Sequence, residues 1–157
     1  MIRAATPEDA TGIQALWNLA IRDTLITFNS VEKTQDEVRR AIDTHDAFLV
    51  AEEGGAILGY AAFGPFRAGV GYTPTKEHSI MLDPAARGRG IGRALMLRLE
   101  EAARAQRVHS LIAGVSGSNP GAEDFHVALG FARVAVVPEV GFKFDRWHDL
   151  VLMQKFL

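Results

Sequence analysis

The chain has 157 residues, of which 48% are apolar and 23% are charged, and its 17 basic and 19 acidic side chains give a formal net charge of -2. A chain of this length can bury about two thirds of the surface that it exposes when unfolded, which predicts one globular domain over residues 1–157. The near-neutral charge excludes a broad basic surface for nucleic acid. The chain has no cysteine, which excludes disulfides and thiolate chemistry and indicates a cytoplasmic protein.

The sequence contains no segment with the length and apolarity of a membrane span. Its longest apolar stretches, residues 59–66 and 110–115, are much shorter than the ~20 residues that cross a bilayer. The N-terminus turns polar and acidic at Glu8 and Asp9, where a signal peptide would begin its apolar core. We therefore expect neither a membrane anchor nor a cleaved leader.

The first part of the chain predicts one strand and two helices. Residues 2–5 form a short apolar strand. Residues 6–9 then combine a threonine N-cap, a proline at the first helical position and early acidic charge, which together begin a helix. Residues 34–37 form a capping box, in which a threonine is followed three positions later by a glutamate, and predict a second helix.

The rest of the chain alternates strands and helices. Residues 47–52 and 56–63 predict a hairpin, because Gly54 and Gly55 between them favour positive φ angles. Further strands are predicted at residues 77–82, 108–115, 131–137 and 147–156, and further helices begin at residues 91 and 119. The order β-α-α-β-β-β-α-β-α-β-β indicates an α/β fold with a mixed central sheet flanked by helices.

A glycine-rich turn between the 77–82 strand and the following helix is the clearest chemical motif. Glycines at the start of a helix let an anion approach the first backbone N–H groups, which have no partner inside the helix. The dinucleotide pattern GxGxxG fails, because its last glycine falls on Arg93 or on Leu95, and no Gly-Lys-Ser/Thr sequence is present. The remaining pattern is Arg-x-x-Gly-x-Gly, formed by Arg87, Gly90 and Gly92.

This pattern resembles the coenzyme A pyrophosphate loop of the GNAT superfamily of N-acetyltransferases. Asn119-Pro120 with residues 126–131, and the C-terminal stretch 141–149, are similar to motifs of the branch that contains phosphinothricin acetyltransferase. The stretches 18–28 and 64–79 resemble the same branch. The resemblance covers nearly the whole chain and implies a single-domain GNAT fold, acetyl-CoA as cosubstrate and a homodimer.

The resemblance implies two residues that move protons. Acetyl transfer needs a neutral amine, and a positioned carboxylate that takes the proton contributes a factor of roughly 10²–10⁴. Glu77 matches the catalytic glutamate of the branch, and His126 matches a histidine proposed for proton transfer. From the residues alone, Glu77 could instead face solvent at a strand end, and His126 could pack against or cap its helix.

The resemblance also implies the residues that bind the two substrates. The backbone of Ile80, Met81 and Leu82 would hold the pantetheine arm, and Asn119 would donate a hydrogen bond to it, although Asn119 is also an ordinary helix cap. The pyrophosphate would lie on the loop formed by Arg87, Gly88, Arg89, Gly90, Ile91 and Gly92. The amine substrate would contact Phe28, Arg67 and Tyr72. Phe144 and Trp147 could line the pocket or pack in the C-terminal strand, and packing is the simpler expectation.

The sequence therefore predicts an N-acetyltransferase for a small amine, such as an amino acid, phosphinothricin or methionine sulfoximine or sulfone. Two alternatives remain open: a protein or peptide N-acetyltransferase, and a coenzyme A-binding module without catalysis. The five histidines show no paired ligand spacing, so no metal is expected.

Overall fold

The computed structural model describes all residues from Met1 to Leu157. It contains seven strands and four helices, in the order that the sequence predicts. They are β1 (Ile2–Ala4), α1 (Ala10–Asp23), α2 (Gln35–Thr44), β2 (Ala47–Glu53), β3 (Ala56–Pro65), β4 (Thr75–Leu82), α3 (Ile91–Ala105), β5 (Ser110–Ser116), α4 (Pro120–Ala128), β6 (Ala132–Lys143) and β7 (Arg146–Phe156). The predicted α/β class with a mixed sheet is confirmed.

The seven strands form one sheet in the order β1-β2-β3-β4-β5-β7-β6. Only β4 and β5 run parallel, and α3 connects them. The turn of the β2–β3 hairpin contains Gly54 and Gly55, whose φ angles of +58° and +84° are those that the glycine pair predicts. The parallel pair lies near the middle of the sheet, so α3 packs across one face and leaves the other to α1 and α2.

Two hydrophobic clusters hold the helices to the sheet. Leu95 and Leu99 of α3 belong to one cluster, and Ile13 of α1 belongs to the other. Val50 and Ala51 are neighbours on β2 but contribute to different clusters, which shows that the clusters lie on opposite faces of the sheet. Burying each such leucine or isoleucine side chain contributes about 1.5–3 kcal/mol.

The helix starts follow the capping chemistry of the sequence. At α2, the Thr34 hydroxyl accepts from the Glu37 N–H at 3.2 Å, and the Glu37 carboxylate accepts from the Thr34 N–H at 2.7 Å. At the first helix, residues Pro7–Asp9 form a single 3₁₀ turn, and the α-helix begins only at Ala10. None of the helices has the length and apolarity needed to cross a membrane.

The C-terminal hairpin is longer than predicted. Strand β6 continues to Lys143, where the sequence predicts its end at residue 137, because pairing with β7 extends to Lys143 and Arg146. The register shifts between Val137 and Gly141, around Pro138, which has no N–H to donate. This irregularity interrupts the strand pattern in the sequence but not the strand.

Candidate active site

A large cavity lies where β4 and β5 separate. Their parallel pairing runs from Thr75 and Ser110 to His78 and Ala113 and then stops. A cavity of about 1060 Å³ fills the opening, and residues 77–82 and 113–116 both line it. From residue 79 onward, the edge of β4 that faces β5 has no strand partner. The predicted pantetheine-binding residues Ile80, Met81 and Leu82 lie on this edge, where backbone groups are free to bind an extended ligand.

The glycine-rich loop has the properties of an anion site. Gly88 and Gly90 adopt positive φ angles of +74° and +79°, and Gly90 caps the N-terminus of α3. The backbone N–H groups from Gly88 to Arg93 donate no hydrogen bond within the chain. Those of Ile91, Gly92 and Arg93 belong to the first turn of α3, at the positive end of the helix dipole, which favours phosphate. Arg87 lines the large cavity beside them.

The other loop residues have different surroundings. A Cβ on Gly92 would lie 3.0 Å from the Leu82 side chain and 3.2 Å from the Phe125 ring, so this glycine serves helix packing. Arg89 pairs with Glu53 at 2.9 Å. Arg89, Gly90 and Ile91 line a second cavity of about 680 Å³ on the far side of the loop.

Asn119 lines the large cavity at the N-terminus of α4. Its backbone N–H donates to the Ser116 carbonyl at 3.0 Å, and its side chain forms no capping hydrogen bond. The amide is therefore free to bind a ligand, which disfavours the reading of Asn119 as only a helix cap.

Glu77 is a free carboxylate at the point where the strands part. Its neighbours are Gly64 on β3 and Ile112 on β5, one residue before the last β4–β5 pair. The side chain lines the cavity, is half-buried and forms no ion pair or hydrogen bond within the chain. Burial raises the pKa of Glu77 above its ordinary value. A carboxylate with this surrounding is suited to accept a proton.

His126 also lines the cavity, but both of its ring nitrogens are engaged. Its Nδ1 lies 2.7 Å from the Ala122 carbonyl, which can only accept, so Nδ1 carries the proton. Its Nε2 then accepts from Nε2 of His78 at 3.0 Å. Burial lowers the pKa of His126, and burial together with His126 lowers the pKa of His78 to about 3. The two histidines form a neutral buried pair.

Glu77 and His126 reach the cavity from opposite faces of the sheet. Along β4, Glu77 points to the same face as Met81, which packs in the α1 cluster. His78 points to the other face and contacts His126 of α4. The cavity touches both because it lies in the gap between the strands. Of the two predicted proton carriers, only Glu77 presents an unoccupied basic atom.

A second part of the wall suits an amine. It includes Trp17, residues 24–27 and Phe144, with Asp23 and Glu77 as its acidic groups. Of the two interpretations of Phe144, the structure shows cavity lining rather than packing alone. The preceding residue, Lys143, is hydrogen-bonded to the Ala20 carbonyl of α1. Trp17 and Tyr60 also line the wall. Their spacing in the sequence is that of core residues, so no signal distinguishes them as site residues.

The three predicted amine-binding residues lie outside the cavity wall. Phe28 stacks on the ring of His148 with centroids 5.6 Å apart and fills the space that Gly141 leaves without a side chain. Arg67 and Tyr72 are exposed on the β3–β4 loop, where the guanidinium lies 5.4 Å from the Tyr72 ring. Phe28 therefore packs behind the cavity wall. Arg67 and Tyr72 lie on the loop that joins β3 to β4, next to the strand residues that line the cavity.

Comparison with known proteins agrees with this geometry. The model of the acetyltransferase (GNAT) family matches residues 13–131. The chain belongs to this family. It is 38% identical to the L-methionine sulfoximine/L-methionine sulfone acetyltransferase of Salmonella typhimurium, with 98% of the chain and 92% of the relative aligned. It is 35% identical to the phosphinothricin N-acetyltransferase of Alcaligenes faecalis, over 98% of the chain and 81% of the relative.

A solved structure confirms the fold. The phosphinothricin acetyltransferase of Sinorhizobium meliloti in complex with acetyl-CoA superposes with a TM-score of 0.95 at 31% identity, covering 100% of this chain and 88% of that one. The chain is an acetyl-CoA-dependent N-acetyltransferase, and the predicted family and branch are confirmed. No group of three or more histidine and carboxylate side chains is arranged to hold a metal ion.

Proposed function

We propose that residues 1–157 form one domain that transfers the acetyl group of acetyl-CoA to the amine of an amino acid or analogue. The observation that carries the proposal is the free carboxylate of Glu77 in a cavity of about 1060 Å³. The unpaired edge of β4 and the glycine-rich loop, whose backbone N–H groups have no partner, lie beside this cavity. The relatives named for methionine sulfoximine, methionine sulfone and phosphinothricin support this substrate class.

The cosubstrate fits the residues present. The N–H groups from Gly88 to Arg93 and the Arg87 side chain offer donors for pyrophosphate, and the edge of Ile80–Leu82 with Asn119 offers hydrogen bonds for the pantetheine arm. When bound, acetyl-CoA would supply an acetyl carbon that forms a bond to the amine nitrogen as its bond to sulfur breaks. The coenzyme A thiolate would leave and take up the second proton that the nitrogen releases.

Glu77 performs the proton transfer in this proposal. The substrate enters as an ammonium, which Asp23 and Glu77 attract, and it must lose a proton before nitrogen can attack. Glu77 accepts that proton, and its raised pKa brings its basicity closer to that of the amine. His126 stays a second candidate for proton transfer and would have to act through its bond with His78. Arg67 and Tyr72 would contact the substrate's carboxylate from the neighbouring loop.

The test is a thiol-release assay with acetyl-CoA and a panel of acceptors. The panel contains phosphinothricin, methionine sulfoximine, methionine sulfone, unmodified amino acids and a short peptide with a free N-terminus. We expect turnover with at least one amino acid or analogue, unchanged after dialysis against EDTA. Turnover with the peptide alone would favour the protein N-acetyltransferase alternative. Coenzyme A binding without any turnover would favour the non-catalytic module.

We also propose a cytoplasmic homodimer. Strand β6 lies at the edge of the sheet and exposes Val134, Val136, Val140 and Phe142, each more than 40% accessible, with Trp147 opposite on β7. A long apolar edge of this kind favours contact with another chain, and a second copy of this chain is the proposed occupant. Sedimentation should give a dimer at micromolar concentration and a monomer for Val136→Lys. A monomeric native protein would contradict the homodimer.

A further inference from the structure

Lys143, the last residue of β6, has a buried ammonium group with no acidic partner. Only 4% of the residue is accessible, and no carboxylate lies within salt-bridge distance of it. Burial lowers its pKa. Burying a charge is costly unless its hydrogen bonds are satisfied, so the partners of this ammonium must be close and well placed.

Those partners are main-chain carbonyl groups at the end of α1. The Nζ atom donates to the Thr24 carbonyl at 2.6 Å and to the Thr27 carbonyl at 2.8 Å, and it lies 3.4 Å from the Ala20 carbonyl. An ammonium has three N–H groups, so this set uses all of them. Carbonyls at a helix C-terminus carry partial negative charge, which compensates in part for the missing carboxylate.

The segment that Lys143 holds is also a wall of the cavity. Residues 24–27 line the amine side, and two of the carbonyls that bind the ammonium belong to Thr24 and Thr27. The next residue, Phe144, lines the same cavity with its ring 5.1 Å from Nζ. Phe144 and Asp145 adopt left-handed φ angles of +53° and +56° and form the two-residue turn between the paired residues Lys143 and Arg146.

The backbone of Lys143 is fixed from the cosubstrate side. His148 Nε2 donates to the Lys143 carbonyl at 2.9 Å, and the Ser118 hydroxyl donates to Nδ1 of His148 at 2.9 Å. Ser118 lines the cavity next to Asn119. Lys143 thus connects the segment that borders the cosubstrate to the segment that borders the amine.

We propose that Lys143 is a positioning residue for the amine substrate: its ammonium holds the main chain of residues 24–27 in the shape that the amine side of the cavity requires. This inference rests on the proposed function. Lys143 itself lies behind the wall and does not contact the substrate. Its loss therefore affects amine binding while leaving acetyl-CoA binding intact.

The first test compares Lys143→Met with Lys155→Met in steady-state kinetics. Lys155 is a matched control because it is also largely buried and hydrogen-bonded, but it pairs with Glu100 away from the cavity. Misplacing substrate contacts by about 1 Å can cost up to about 100-fold. We expect Lys143→Met to raise the KM for the amine by about 10- to 100-fold and to change the KM for acetyl-CoA less than twofold. Lys155→Met should lower thermal stability and leave both KM values near native.

Two outcomes of the kinetics overturn the proposal. One is a folded Lys143→Met variant whose amine KM stays within twofold of native. The other is a parallel change in both KM values, like that of a general loss of structure. If Lys143→Met does not fold, Lys143→Gln keeps two N–H donors and decides the same comparison, with a smaller rise expected in the amine KM.

Hydrogen exchange tests the inference even if no acceptor in the panel is acetylated. The Ile26 and Asn29 N–H groups donate to the Thr24 and Thr27 hydroxyls, so their exchange reports the order of the held segment. We expect at least fivefold faster exchange there in Lys143→Met and native exchange in the middle of α1. Native exchange at Ile26 and Asn29 would refute the positioning role, whereas failure of every acceptor would refute only the proposed substrate class.

Discussion

Replacing Glu77 with glutamine removes the proposed base while keeping its shape. The amide has the same reach into the cavity but cannot accept a proton from an ammonium. General-base catalysis contributes about 10²–10⁴-fold, so kcat for Glu77→Gln should fall by this factor. In free energy, the loss equals about 2.7–5.4 kcal/mol of transition-state stabilisation. The affinity for acetyl-CoA should stay within twofold of native, because Glu77 belongs neither to the glycine-rich loop nor to the Ile80–Leu82 edge of β4.

Protein stability should change in the opposite direction from activity. Burial raises the pKa of Glu77 in the folded chain, so its favourable contribution is present below the unfolded pKa and is lost as the pH rises through the folded pKa. Above the folded pKa the native carboxylate is ionised in a half-buried site without a partner. The neutral glutamine avoids this cost, so Glu77→Gln should unfold at the same temperature as native protein or at a higher one.

The assay is initial-rate thiol release across pH, with Glu123→Gln as the control. Glu123 pairs with Arg133 on the surface and does not line the cavity, so its loss should leave kcat near native. In native enzyme, kcat/KM should rise with pH as Glu77 and the amine lose their protons. In Glu77→Gln the rise of kcat/KM with pH should report only the deprotonation of the amine substrate. A variant within twofold of native kcat at pH 7 would refute Glu77 as the base and move that role to His126 or solvent.

Three further predictions use other parts of the structure. Gly90→Val should weaken coenzyme A binding at least tenfold in calorimetry, because a branched side chain at φ +79° distorts the loop. The control Gly54→Val, at φ +58° in the β2–β3 turn, should keep native affinity. Equal losses of affinity in both variants would contradict an anion site at the loop. Arg67→Ala should raise the amine KM more than the acetyl-CoA KM, and an unchanged amine KM would remove Arg67 from substrate binding. Hydrogen bonds from Arg3 lower the pKa of Asp9 from 3.8 to about 2, so this stability is present above pH 3.8 and is lost as the pH falls through 2. In urea unfolding, the free energy of unfolding of Asp9→Asn should therefore fall less between pH 4 and pH 2 than that of native protein. The difference between the two losses should be no more than about 2 kcal/mol. Equal losses in both proteins would disprove the role of the Arg3–Asp9 pair.

Local chemistry in the sequence was sufficient for the order of the elements. The capping box at Thr34 and Glu37 and the Gly54-Gly55 turn depend on residues within four positions of each other, so their geometry follows from neighbouring side chains and backbone freedom. The same holds for Gly88 and Gly90, whose positive φ angles open α3. The free N–H groups of this loop were predictable because a helix N-terminus leaves its first N–H groups without a partner in the helix.

The roles of individual site residues depend on contacts between distant segments. His126 has the spacing of a helix residue, and only its contact with His78, 48 positions away, shows that its basic nitrogen is occupied. Phe28 resembles a substrate residue in the sequence, but packing against Gly141 and His148 places it behind the wall. Sequence patterns do not predict such contacts between distant segments.

The fold class followed from the sequence alone, because it depends on short-range periodicity, capping and glycine placement. The family followed from the resemblance of several separate motifs, and the pyrophosphate loop was predicted from the same resemblance together with its glycines. The tertiary structure decided which carboxylate is free, which histidine is paired and which lysine holds the amine side of the cavity. Lys143 lies 119 positions from Thr24, and only the pairing of β6 with β7 and of β7 with β5 carries its ammonium to the end of α1. A buried charge and its partners are a property of packing, since no local preference of the chain selects carbonyl groups so far away.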